Sequence, residues 1–139
     1  MMQATILNLL SLDVGERRVG IARANSLARL PQPLTTLVRD DNFWANLEKV
    51  IKTEATDQVV VGLPRNLESQ DTDQTRCTRE FATEFKDRFN LPVTFQDEAL
   101  TSRKAEAELK SRGKGFTKGD IDALAATYIL EDYLNMKEN

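Results

Sequence analysis

The sequence predicts an α/β fold built on a mixed β-sheet, and three observations support this. Short apolar runs recur along the 139-residue chain, as in buried strands. The first run is followed by a tight turn and a second strand of similar length, which indicates an antiparallel hairpin. Later strands alternate with stretches whose apolar residues repeat every three or four positions, a pattern typical of parallel strands joined by crossover helices.

Five strands are predicted. Residues 5–13 (TILNLLSLD) have the composition of a buried strand, and residues 17–24 (RRVGIARA) return antiparallel to it after the turn DVGERR. A short third strand is predicted at residues 34–39, after two prolines. The apolar run QVVVGLP at residues 58–64 is typical of an interior parallel strand, and a fifth strand, LPVTFQDE, ends at Glu98.

Four helices are predicted between and after these strands. Residues 41–55 and 72–89 carry apolar side chains at helical spacing, and three phenylalanines spaced by four in the second helix are expected in the core. The stretch RKAEAELKSR forms a third helix, and residues 119–136 form the fourth after a loop. We therefore expect one domain spanning residues 1–139, with a five-stranded mixed sheet (an antiparallel hairpin unit plus parallel strands) flanked by helices.

The composition excludes several kinds of catalytic site and compartment. The chain has no histidine, which rules out Ser-His-Asp, Cys-His and histidine-bound metal chemistry. Its single cysteine, Cys77, allows no internal disulfide and is consistent with a reducing cytoplasm. The net charge of −3 argues against a general polyanion binder but permits a local basic patch. With no membrane-length apolar run and no recognisable signal peptide, we expect a cytoplasmic protein without a membrane partner.

Three carboxylates are predicted to meet at one edge of the sheet. Asp13 ends the first strand and Glu98 the last, and α/β proteins bind ligands outside the carboxyl ends of such strands. Asp122 lies near the start of the last helix, on a stripe with two alanines that permits close packing on the sheet. Asp120 lies on a more polar face and is assigned to the helix N-terminus. An unpaired buried carboxylate is costly, so Asp122 needs a partner.

A divalent cation is the partner that this composition favours. Mg²⁺ and Mn²⁺ prefer oxygen ligands and often hold phosphate groups, and such ions promote hydrolysis of phosphodiesters. Each acid alone has an ordinary alternative: Asp13 pairs with a turn arginine, Glu98 is a surface acid, and Asp122 caps a helix. The expected convergence of all three at one edge favours the metal site.

The segment KSRGKGFTK, residues 110–118, is a candidate nucleic-acid contact. It combines four cations, two glycines and one aromatic residue directly before the last helix, a composition suited to following a phosphate backbone and stacking a base. The alternative is a solvated helix end, where Lys and Arg are common. Further candidates lie beside Asp13 and the GLP turn. The complete set from these segments is Arg17, Arg18, Arg65, Asn66, Lys110, Arg112, Lys114, Phe116 and Lys118.

Four motifs, spread over nearly the whole chain, together resemble the YqgF (RuvX) family of Holliday junction resolvase-like proteins and pre-16S rRNA nucleases. They are LSLDVGERRVGIA, VVVGLPRN, DEALTS and KGDIDALAATYIL. The resemblance implies an RNase H-like fold, a nucleic-acid substrate, and an acidic triad at Asp13, Glu98 and Asp122. These are the acids that the residue pattern had also selected.

Two departures from the family pattern concern substrate binding rather than the triad. The family usually has an arginine after the DE pair, where this chain has Ala99, and Arg103 is the candidate to replace it. A glycine that usually follows GLP by a few residues is absent from the loop RNLESQDT.

The leading hypothesis is a nuclease in which Asp13, Glu98 and Asp122 hold Mg²⁺ or Mn²⁺ and are catalytic. Its expected role is maturation of the 5′ end of pre-16S rRNA in ribosome biogenesis, with small-subunit precursors as partners. Two alternatives stay open: a Holliday junction resolvase acting on structured DNA, and a non-catalytic protein that binds nucleic acid or the ribosome. The motif DVGERRVG also resembles the phosphate loop of sugar kinases and actin, but those enzymes need two such domains.

Overall fold

A computed structural model describes residues 5–66, 68, 70–98 and 101–137 of the chain. The helices and strands follow the predicted order. The strands are β1 (Asn8–Val14), β2 (Arg18–Asn25), β3 (Gln32–Val38), β4 (Gln58–Pro64) and β5 (Val93–Glu98). The helices are α1 (Phe43–Thr53), α2 (Asp73–Arg88), α3 (Thr101–Ser111) and α4 (Lys118–Lys137).

The five strands form one mixed sheet in the order β3-β2-β1-β4-β5. β1 pairs antiparallel with β2, and β2 with β3. β1 pairs parallel with β4, and β4 with β5. The predicted combination of an antiparallel unit with added parallel strands is confirmed. Because β1, β4 and β5 run in the same direction, their carboxyl ends meet at one edge of the sheet.

The two faces of the sheet carry different helices. Alternate residues of β1, beginning with Leu10, face a core formed with α1 and α2. The phenylalanine stripe of α2 belongs to this core, since Phe81 and Phe85 are buried there, which confirms its predicted role. Leu9 and the residues alternating with it face α4. Ala105 of α3 packs against α4 in a third, smaller cluster. No helix in the described part of the chain is both long and apolar enough to cross a membrane.

The start of β3 differs from the prediction. The strand begins at Gln32, two residues earlier than expected, and therefore contains Pro33. Proline lacks the backbone N–H that strand pairing uses, so its presence argued against a strand at this position. β3 lies at an edge of the sheet, and among the described strands it pairs with β2 alone, so a missing donor on its other side is tolerated.

Candidate active site

Asp13 lies near the carboxyl end of β1, on the face covered by α4. Ser11 points to the same face, and its hydroxyl donates a 2.5 Å hydrogen bond to the carbonyl oxygen of Ala126 in α4. This bond fixes α4 over β1. Burial, followed by the charge of Asp122, raises the pKa of Asp13 from 3.8 to about 7. The Asp13 carboxylate forms no hydrogen bond or ion pair with another described residue.

Asp122 is held beside Asp13 by a close approach of α4 to the sheet. Gly20 of β2 pairs with Asp13, and the backbone of α4 passes directly over Gly20. A Cβ atom at position 20 would lie 2.0 Å from the carbonyl oxygen of Asp122, so the contact requires glycine. The Asp122 carboxylate accepts a 2.7 Å hydrogen bond from Nε of Arg18. Arg18 thus pairs with Asp122, and the alternative that pairs it with Asp13 is not observed.

Asp120 caps α4, as predicted. Its carboxylate accepts a 2.9 Å hydrogen bond from the backbone N–H of Thr117, and the Thr117 hydroxyl accepts a 3.1 Å bond from the backbone N–H of Asp120. The helix start is therefore satisfied without Asp122. This leaves the Asp122 carboxylate available for the site beside Asp13.

Glu98 ends β5, which β4 separates from β1, and its side chain lies on the face of the sheet that α4 covers. The strand register places it two strands away from Asp13 and two residues further along the sheet. Burial raises the pKa of Glu98 to about 8, and the hydrogen bond and charge of Asp132 act in the same direction. The charge of Asp13 contributes less, while Lys104 lowers the pKa. The Oε1 atom of Glu98 is buried without a hydrogen-bond partner among the described residues.

Asp132 is a neighbour of Glu98 that the sequence reasoning missed. It lies on α4 ten residues after Asp122, about 15 Å along the helix axis. A signal was present, because helical steps from Asp122 through Ile129 lead to Asp132 as well as to the apolar positions. The acids on this face form two pairs, Asp13 with Asp122 and Glu98 with Asp132. Within the described residues, no three Asp, Glu or Cys side chains are grouped so that they could hold one metal ion. The predicted convergence of Asp13, Glu98 and Asp122 around a single ion is therefore not observed.

Two of the candidates beside the GLP turn are engaged within the protein. Arg65 forms ion pairs of 3.0 Å with both Asp71 and Asp97. The side-chain oxygen of Asn66 accepts a 2.9 Å hydrogen bond from the backbone N–H of Gln70 and so closes the loop. Both side chains therefore have structural partners in addition to any role with a ligand.

The segment 110–118 joins α3 to α4 and borders a cavity. Gly113 has a φ of 71°, the left-handed conformation that often ends a helix. Arg112, Lys114 and Phe116 line a cavity of about 660 Å³ between this segment and β3. Arg112 also forms a 3.2 Å ion pair with Glu108, and Lys110 forms one of 3.6 Å with Glu106.

The remaining predicted cations, Arg17, Arg103 and Lys118, are exposed, and Ala99 lies outside the described residues.

Comparison with known proteins decides the family. Residues 7–136 match a family model described as "RuvX: Holliday junction resolvase". The chain belongs to the RuvX family. A RuvX relative from Haemophilus ducreyi is 38% identical over 131 residues, which cover 91% of this chain and 95% of the relative. One from Synechococcus elongatus is 38% identical over 130 residues, covering 91% and 87%. Both carry the name "Putative pre-16S rRNA nuclease".

Solved structures support the fold of this RuvX chain. The chain resembles Thermus thermophilus RuvC, described in complex with a Holliday junction substrate, with a TM-score of 0.53 and 16% identity. The likeness covers 96% of this chain and 97% of that one. At this identity it concerns the fold alone, and it confirms the RNase H-like fold that the sequence resemblance implied.

Proposed function

We propose that this RuvX chain is a single-domain, metal-dependent nuclease, residues 1–139, that hydrolyses phosphodiester bonds at the 5′ end of pre-16S rRNA. The observation that carries the proposal is the placement of Asp13 beside Asp122 at the carboxyl edge of the sheet, with the Asp13 charge poorly compensated. Family membership and the printed names of the relatives support the reaction and the substrate. The proposed substrate places the protein in the cytoplasm.

The donor set fits a hard divalent cation such as Mg²⁺ or Mn²⁺. The candidate ligands are carboxylate oxygens of Asp13 and Asp122, the type that these ions prefer. The third predicted ligand, Glu98, lies apart from them and is paired with Asp132. The Asp13 carboxylate lacks a hydrogen bond from any described residue, and a Glu98 oxygen is buried unpaired, so both have free acceptor capacity. A bound cation would supply the charge that activates water and neutralises the phosphodiester. The separation of Asp13 from Glu98 makes Asp13 and Asp122 the principal ligand pair in our proposal.

The other side chains of the site have separate tasks. Arg18 orients Asp122 through its 2.7 Å bond. Glu98, with its pKa raised to about 8, holds a proton on its carboxyl group at neutral pH in the metal-free protein. Because the chain has no histidine, this carboxyl, which lies apart from the Asp13–Asp122 pair, is the proposed group for proton transfer during cleavage. The exposed cations Arg17, Arg103 and Lys114 bind substrate phosphates in this proposal.

The proposed function is tested with a fluorescent RNA that contains the precursor sequence and the mature 5′ end of 16S rRNA. We expect cleavage that increases with added Mg²⁺ or Mn²⁺ and stops on chelation, and precursor small-subunit rRNA should accumulate in cells depleted of the protein. Binding of the RNA without metal-dependent cleavage would contradict the proposal and favour a non-catalytic binder.

Arg18→Gln is expected to lower kcat about tenfold, because Asp122 loses the guanidinium group that orients it. The stability change should be about 1 kcal/mol or less, since the ion pair is partly exposed. Steady-state cleavage kinetics and urea unfolding measure the two effects.

Arg17→Gln is the matched control for Arg18→Gln. Arg17 is the exposed neighbour, and its side chain forms no ion pair with another described residue. Because Arg17 is a proposed phosphate contact, its replacement by glutamine should raise KM and leave kcat unchanged. Equal increases in KM for both variants, with kcat unaffected, would show that Arg18 contacts substrate and does not orient Asp122.

Resolution of Holliday junctions is the second candidate function, favoured by the family description. Paired symmetric cuts require two sites related by a two-fold axis, so a resolvase is expected to act as a dimer. A four-way DNA junction and the precursor RNA should be compared in one assay, with the molecular mass measured in solution. Symmetric nicking by a dimer, without cleavage of the RNA, would replace the rRNA proposal.

A further inference from the structure

We propose that the cavity between β3 and the segment 110–118 binds one unpaired nucleobase of the substrate, stacked on Phe116. This inference rests on the proposed nuclease function, and it adds a contact that is separate from the acidic pairs. The argument uses the lining of the cavity, the free edge of β3 and the position of the cavity on α4.

The cavity has the size and lining of a small-molecule site. Its volume of about 660 Å³ lies within the range of roughly 300–1,000 Å³ typical of ligand pockets. Leu34 of β3, Leu109 of α3 and Leu124 of α4 contribute apolar walls, and the half-buried ring of Phe116 contributes an aromatic one. Apolar walls with one aromatic ring suit a flat heteroaromatic group, because every base has a π face that stacks in this way.

The remaining lining supplies groups that a nucleotide requires. β3 is an edge strand, and no described strand pairs with its outer side, so the outward-facing backbone N–H and C=O groups of Thr36 are available to the edge of a base. Arg112 and Lys114 lie at the same cavity and match the charge of a phosphate backbone. Asp120 also lines the cavity, but its carboxylate is bonded to the backbone N–H of Thr117.

The cavity adjoins the helix that carries Asp122. Asp120 and Ala123 line it, and Asp122 lies between them in the first turns of α4. A base held in the cavity would therefore place a neighbouring phosphodiester towards Asp122. An extended peptide is the other occupant that the free edge of β3 would accept. The cations and the aromatic ring facing that edge favour a nucleotide, because adding a peptide strand requires neither.

Two RNA duplexes containing the fluorescent base 2-aminopurine test the inference. One carries it unpaired beside the precursor cleavage position, and the other carries it base-paired. Binding is measured in an Asp13→Asn background without cleavage. We expect the unpaired probe to bind about tenfold more tightly than the paired one, with its fluorescence quenched by stacking.

Substitutions at Phe116 separate stacking from simple filling of the cavity. Phe116→Ala and Phe116→Leu should abolish the preference for the unpaired probe, whereas Phe116→Trp should keep it. Circular dichroism checks that each variant is folded. Lys114→Gln should weaken binding of both probes equally and reduce its salt dependence, with the preference unchanged.

Three outcomes would overturn the inference. They are equal affinity for the two probes, a preference that survives Phe116→Leu, and displacement of the unpaired probe by an extended peptide. If one of these outcomes is found together with metal-dependent cleavage, the base site is ruled out and the nuclease function remains supported. Base-dependent binding by a wild-type protein that never cleaves RNA would contradict the nuclease function and leave the base site supported.

Discussion

Asp13→Asn is expected to abolish RNA cleavage while the protein stays folded. Asparagine keeps the shape of the side chain but removes the negative charge proposed to hold the cation beside Asp122. Loss of charge stabilisation at a reacting centre typically costs about 10²–10³-fold or more in rate. Single-turnover cleavage of the precursor RNA at saturating Mg²⁺ measures the loss. Cleavage by the variant at the wild-type rate would remove Asp13 from the mechanism.

The same substitution is expected to stabilise the metal-free protein at alkaline pH. The folded-state pKa of Asp13, about 7, lies above its ordinary value of 3.8, so the folded protein binds this proton more tightly than the unfolded chain. Wild-type stability therefore falls as the pH rises from 4 to 7 on account of this group, and asparagine avoids that loss. We expect Asp13→Asn to raise the free energy of unfolding by about 2–4 kcal/mol at pH 8, and by almost nothing at pH 3.5.

Urea unfolding at the two pH values, with and without Mg²⁺, tests this sign. Mg²⁺ should stabilise the wild-type protein at pH 8 more than it stabilises Asp13→Asn, because the variant has lost a ligand. Asp87→Asn is the control, since Asp87 is exposed on α2, and we expect it to change stability little at either pH. A variant at position 13 that is less stable than wild type at pH 8 would contradict the burial of an uncompensated charge.

Gly20→Ala is expected to damage both stability and activity. The new Cβ atom would meet the backbone of α4 at Asp122 and Ala123, which cannot rotate away as a side chain does. Overpacking of this kind typically costs about 1–3 kcal/mol. The relief available is a shift of α4 away from the sheet, which moves the Asp122 carboxylate from its place beside Asp13. We expect both the cleavage rate and the free energy of unfolding to decrease, and both are measured on the same preparation.

Gly119→Ala provides the matched control for Gly20→Ala. Gly119 lies in the first turn of the same helix, and an added Cβ atom would meet Thr36 at an ordinary contact distance of 3.5 Å. Alanine there should stabilise the protein by about 0.5–1 kcal/mol, because it favours the helical backbone. If the two substitutions destabilise the protein equally, the close approach of α4 to the backbone at Gly20 is not the reason that glycine is needed there.

Much of the fold could be predicted because hydrophobic periodicity is a local property of the chain. The run at residues 59–63 has no polar side chain, and the structure buries it on both faces between β1 and β5. The boundary of β3 was harder to predict. Whether Pro33 ends a strand depends on which side of that strand is paired, and pairing is set by the neighbouring strand.

The acidic residues of the site were predicted from the sequence, but the pairs that they form were not. Strand ends and helix stripes identified Asp13, Glu98 and Asp122, but they did not identify the partner of each acid. Arg18 and Asp122 are 104 positions apart in sequence, and Glu98 meets Asp132 only where α4 crosses the sheet. Arg65 was chosen for its place beside a turn, whereas one of its two carboxylate partners, Asp97, lies 32 positions further along the chain and is brought there by strand pairing.

The residue pattern is enough to predict the order of helices and strands, the faces they bury, and a site chemistry based on carboxylates in a chain without histidine. The pairing of the acids between the sheet and α4, the close approach of that helix at Gly20, and the raised pKa values of Asp13 and Glu98 become visible only in the folded chain. Periodicity depends on neighbours along the chain and can therefore be recognised locally. Burial and charge repulsion depend instead on distances in space, between residues the chain keeps far apart.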